Sequence, residues 1–221
     1  MPLANPEERW IHPEAPLNPT IKRSALGVVV ALWIAALVAS AVVTSARDNR
    51  PGERGRAPAH WPVDSGLARE SDRWTLLAFA HPRCPCTRAT LRELEKIVAR
   101  CRERLAVQVL CCLPDDAPRG WERTDIWAQA ERIPGARVSA DAGGAVGRRF
   151  GVHTSGEVVL YDPAGRLRFH GGITGSRGHE GDNVGRSAVI DIVLHRQAAP
   201  SGAPAFGCPL LEPDVCSEAS P

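Results

Sequence analysis

Two sulfurs separated by one proline, Cys84-Pro85-Cys86, stand where a short apolar run gives way to a helix-patterned run beginning near Thr87. A helix start presents unpaired backbone N–H groups, and these favour a thiolate over a thiol. The chemistry that follows is redox exchange. Cys84 precedes the helix and is expected to project toward solvent as the nucleophile, with Arg83 and Arg88 lowering its pKa. Cys86 is the candidate resolving thiol. Residues two apart in a helix point to nearly opposite sides, so a Cys84–Cys86 bond requires Cys84 to lie outside regular helix. Pro85 favours that arrangement, because it suits the first helical position and disfavours the α conformation in the residue before it.

The elements that must hold this turn are readable around it. Trp74 to Ala80 is a nearly continuous apolar run, the pattern of a strand covered on both faces. Thr87 to Arg104 carries Leu91, Leu94, Ile97, Val98 and Cys101 on one helical stripe. Ala106 to Leu113 reads as a second buried strand. Gly120 to Ile133 reads as a helix stopped by Pro134-Gly135, Arg137 to Ala140 as a short strand, and Gly143 to Phe150 as a short helix. Glu157 to Asp162 and Arg166 to His170 flank the turn Pro163-Ala164-Gly165, and a last helix covers Val184 to Gln197. The order β-α-β-α-β-α-β-β-α predicts an α/β sandwich.

Outside the domain, Ala25 to Thr44 is twenty residues without a formal charge, the length an α-helix needs to cross the hydrocarbon layer. The rival is a cleaved secretory signal, with Thr44-Ser45-Ala46 as the cleavage site. The 20-residue apolar run exceeds the ~7–15 residues of a signal's apolar region, which favours an anchor. Arg9, Lys22 and Arg23 precede the run, while Arg47, Arg50, Arg54 and Arg56 follow it, so the basic residues do not favour a cytoplasmic N-terminus. The domain plan is therefore a disordered leader over 1–24, a transmembrane anchor over 25–45, and a Pro/Gly-rich linker over 46–71. A folded domain over 72–198 and a tail over 199–221 complete it. The tail holds an apolar knot at 206–211 that is expected to dock on the domain. A formal charge of +2, without a sustained basic stripe, argues against a nucleic-acid partner.

The segments Phe79 to Thr87, Phe150-Gly151-Val152 and Val159 to Arg166 resemble the strand, active-site turn and hairpin block of the thioredoxin superfamily. Within it, the chain is most similar to membrane-tethered thioredoxin-like and peroxiredoxin-like bacterial proteins, the RedB type among them. The resemblance covers about residues 72 to 198. It implies a thioredoxin-like sandwich: a central mixed sheet with helices on both faces, preceded by one N-terminal transmembrane helix. It also implies a membrane-anchored thiol–disulfide oxidoreductase of the inner membrane, with its catalytic domain outside the cytoplasm. Its partners would be protein or small-molecule thiols and disulfides. Two departures stand out. The family's second cysteine falls on Thr87, and its cis-proline falls on Gly156, so a trans or rearranged loop is expected there. Ser155 and Gly156 would line the substrate groove, with His81, Arg83, Pro85, Thr87 and Arg88 supporting the site.

No organic cofactor is implied, since nothing resembles a dinucleotide- or phosphate-binding loop; the working group would be the redox-active disulfide. Seven cysteines cannot all pair within one chain. Cys111 and Cys112 are neighbours on a strand and face opposite sides, so both are expected to be inert core thiols, as is Cys101. Cys208 is a candidate accessory thiol: it could reach the active site, pair with Cys86, or bond Cys216. Two other activities compete. His81, His153, His170 or His179 with the cysteines could hold copper or zinc in a metal-handling chaperone. Alternatively, Cys84 and Thr87 could serve a peroxiredoxin-like peroxidase.

Overall fold

The structure is a computed structural model that describes residues 19–195 and 199–210. The chain divides into two compact units, one ending at Ser45 and one beginning at Ala46. Helix α1 (Pro19–Asp48) dominates the first, and its Leu26–Asp48 portion is long and apolar enough to cross a membrane. That property rests on length and composition, and a signal sequence near the N-terminus meets the same test.

The second unit is built on β1 (Trp74–Ala80), β2 (Leu105–Leu113), β3 (Ala136–Ala142), β4 (Glu157–Tyr161), β5 (Leu167–Gly172) and β6 (Gly202–Ala203). They form one sheet in the order β3-β2-β1-β4-β5-β6. β1 pairs parallel with β2 and antiparallel with β4, so the sheet is mixed and β1 lies inside it. Its period-2 alternation feeds two cores. Leu76, Ala78 and Ala80 face one, while Leu77 and Phe79 face the other.

The helices are α2 (Thr87–Cys101), α3 (Asp125–Glu131), α4 (Ala145–Arg149) and α5 (Val184–His195). The first core gathers Leu91, Leu94 and Ile97 of α2 with Ile126 of α3 and Val189 and Ile192 of α5. Full burial of each such side chain stabilises the fold by about 1.5–3 kcal/mol. The second face is closed by α4, by the loop residues Trp61, Phe150 and Val152, and by Leu210 of the tail.

The structure departs from the sequence reading in the connections. The segment whose composition reads as a linker is held along the domain: Thr154 Oγ1 donates to Glu53 O (2.9 Å), Tyr161 Oη to Pro58 O (2.9 Å) and Trp61 N–H to Gly165 O (2.8 Å). Trp61 stacks edge-on against Phe150 and Tyr161. α3 begins five residues later than expected. Gly120 takes φ +80° in a turn, and Thr124 then caps the helix by accepting from Trp127 N–H. β6 is two residues long, too short to leave an alternating pattern.

Candidate functional site

The cysteine turn hangs between β1 and α2. Cys84 N–H donates to His81 O (3.0 Å), Thr87 N–H to Cys84 O (3.0 Å) and Thr90 N–H to Cys86 O (3.5 Å). Cys84 therefore lies outside the helix, and Cys86 occupies its N-cap position with helical dihedrals. The turn is tied to the loop before β4. Ser155 Oγ accepts from His81 N–H (2.9 Å) and lies 2.9 Å from Thr87 Oγ1, whose hydroxyl also reaches His81 O (3.3 Å). Gly156, at φ +91°, donates its N–H to Phe79 O (2.7 Å). No cis peptide bond occurs among the described residues, so the Ser155–Gly156 bond is trans.

The tail returns to this loop. Ser155 N–H donates to Cys208 O (2.8 Å), Leu210 N–H donates to His153 O (2.8 Å), and Thr154 pairs antiparallel with Pro209. Gly207 is packed so closely that a Cβ there would lie 1.8 Å from Ser155 O. The tail thus occupies the groove that Ser155 and Gly156 were expected to offer a substrate. It also brings the Cys208 and Cys84 Sγ atoms to 3.1 Å.

Three cysteines, Cys84, Cys86 and Cys208, interact there. Hydrogen bonds from Cys208 and then Cys86 hold the Cys84 thiol far below its ordinary range, against the opposing effect of burial. Cys86 and Cys208 are pushed upward, first by hydrogen bonding to the Cys84 thiolate and then by burial. The Arg177 guanidinium partly offsets both shifts and hydrogen-bonds Cys86. Arg177 lies in the loop before α5, where its own N–H donates to Asp48 O (3.0 Å). Sequence reasoning missed it, since nothing local marks one arginine in a Gly-rich loop.

The expected arginines are engaged elsewhere. Arg83 lies over the Trp121 ring, 4.7 Å from its centroid, and Arg88 pairs with Asp125. His81 packs edge-on to Trp121, accepts from Arg83 N–H at Nδ1 (3.2 Å), and is kept neutral mainly by burial. Cys84 does not project into solvent as expected. It is 2% exposed, because the tail and the Ser155 loop cover it. Cys101 and Cys111 are core thiols, pushed up by burial to about 11 and about 12. Cys112, on the opposite face to Cys111, lies 3.1 Å from Leu210 O. Cys216 lies outside the described residues. Among the described residues, no group of three His, Cys, Asp or Glu side chains is arranged to hold a metal ion.

No family model matches the chain. No curated protein matches it either. Among solved structures, a hypothetical protein from Sinorhizobium meliloti 1021 is similar at 23% identity and a TM-score of 0.53, covering 73% of this chain and 94% of its own. An uncharacterized conserved protein from Geobacillus kaustophilus gives 16% identity and 0.51, covering 73% and 92%. The pneumococcal exposed lipoprotein thioredoxin from Streptococcus pneumoniae TIGR4 gives 15% identity and 0.43, covering 63% and 99%. The fold is a six-stranded mixed α/β sheet with helices.

Proposed function

We propose that this protein is a membrane-anchored thiol–disulfide oxidoreductase of the RedB-like kind, with Cys84 as nucleophile and Cys86 as a thiol able to resolve its mixed disulfides. The observation that carries the reading is the place of the Cys84 sulfur, just before the start of α2 and 3.1 Å from the sulfur of Cys208. Substrates are protein or small-molecule disulfides. α1 anchors the chain in the membrane, with the redox domain on the extracytoplasmic side, where disulfides persist.

The competing activities have less support. The Thr87 hydroxyl is directed at Ser155 Oγ and His81 O rather than toward a peroxide held on Cys84. A copper or zinc site of three or more ligands is not assembled among the described residues.

The test is reduction of insulin disulfides, with dithiothreitol as the electron source, by the full-length chain in detergent micelles. Cys84→Ser is expected to lower the rate to that of dithiothreitol alone. Unchanged turnover in both Cys84→Ser and Cys86→Ser would exclude the proposal.

A further inference from the structure

Resting on Cys84 as the nucleophile, we infer that Cys208, carried on the docked tail, is the thiol that resolves Cys84 mixed disulfides, and that the working disulfide of this protein is Cys84–Cys208. The two sulfurs stand 3.1 Å apart although 124 residues separate them in sequence. That proximity is built by the fold. Two backbone hydrogen bonds and the Thr154–Pro209 bridge fix the tail on either side of Cys208. Leu210 anchors its end in the second core, and Gly207 allows the close approach to Ser155. Cys86 is placed less favourably. It occupies the N-cap of α2 just two residues from Cys84, so bonding between them must close a small ring across the turn, whereas Cys208 approaches from a separate segment.

The reaction balances with a substrate disulfide as the oxidant. The Cys84 thiolate attacks one sulfur of RS–SR′, forming Cys84–S–SR and releasing R′S⁻. The Cys208 thiol gives its proton to R′S⁻, and the resulting thiolate attacks the Cys84 sulfur. RS⁻ leaves, the Cys84–Cys208 bond forms, and two electrons have passed to the substrate. With the tail docked Cys84 is 2% exposed, so the tail lifts to admit the substrate and returns to expel it. Arg177 lies beside Cys208 and favours its thiolate at the moment of attack.

The experiment exposes the reduced full-length protein in detergent micelles to one equivalent of glutathione disulfide. Free thiols are then blocked with N-ethylmaleimide and the peptides are mapped by mass spectrometry. The wild type and Cys86→Ser are expected to yield a Cys84–Cys208 cross-linked peptide. Cys208→Ser is expected to accumulate at least tenfold more glutathione on Cys84. A wild type linked through Cys84–Cys86, with Cys208→Ser clearing its adduct at the wild-type rate, would overturn this assignment and leave the oxidoreductase reading standing. Absence of both a glutathione adduct and a disulfide at Cys84 in every protein would overturn both.

Discussion

Replacing Gly207 by alanine tests whether the tail controls access to Cys84. The added Cβ would fall 1.8 Å from Ser155 O, and carbon–oxygen approaches below 3.0 Å are essentially never found, so tail and loop must part by at least about 1.2 Å. The Ser155 N–H to Cys208 O bond then lengthens from 2.8 Å to about 4 Å, beyond hydrogen-bonding range. The neighbouring Leu210 N–H to His153 O bond is disturbed with it. Losing two such bonds costs about 2 kcal/mol, which corresponds to roughly a 30-fold rise in the undocked population. The assay is alkylation of Cys84 by iodoacetamide at pH 9, read by peptide mapping of the full-length protein. At that pH even an unperturbed thiol, of pKa about 8.5, is mostly thiolate, so the rate reports access rather than ionisation. Cys84 alkylation in Gly207→Ala is expected to be about 30-fold faster, with the melting transition of the domain retained. A rate within twofold of wild type would refute the claim that the tail covers the sulfur.

Two further outcomes follow from charges around α2 and the site. Glu93, on α2, is fully buried, and Lys96, Gly181 N–H and Arg186 outweigh the cost of burial and hold its pKa below the usual carboxylate range. Glu93→Gln is expected to destabilise the domain by about 2–3 kcal/mol at pH 7 in urea melts. Because the folded pKa is depressed, that stabilisation is complete above the ordinary value near 4.3 and is lost as pH falls through the lowered one, so the two melts converge in acid. At the site, Arg177 partly counters the upward shifts of Cys86 and Cys208. Arg177→Gln is expected to slow clearance of a glutathione adduct from Cys84, read by mass spectrometry at pH 7, because the arginine no longer favours the resolving thiolate. An unchanged clearance rate would remove Arg177 from the site.

What could be read beforehand was whatever depends on local pattern. The apolar run of β1, the stripe of α2 and the proline inside the cysteine turn each specify their element through neighbours a few residues away. The alternation of Cys111 and Cys112 between opposite cores follows from the same strand period. Contacts made at long range were less legible. Pro51 to Pro62 has the composition of a tether, yet Glu53, Pro58 and Trp61 find partners more than 80 residues later. Arg83 and Arg88 are adjacent to the sulfurs in sequence, but Trp121 and Asp125 draw them away. The apolar knot at 206–211 predicted docking, while the register that sets Cys208 opposite Cys84 required the folded loop at Thr154 and Ser155.

Reversible oxidation of Cys84 is the measurement that bears most directly on the account. The full-length protein in detergent micelles is equilibrated across a series of glutathione to glutathione-disulfide ratios, quenched with acid and alkylated. The free-thiol fraction at Cys84 is then read by mass spectrometry. The expected result is a reversible two-electron titration with a midpoint between about −120 and −270 mV, the span of thioredoxin-like oxidoreductases. A Cys84 that remains a free thiol at every ratio would contradict it.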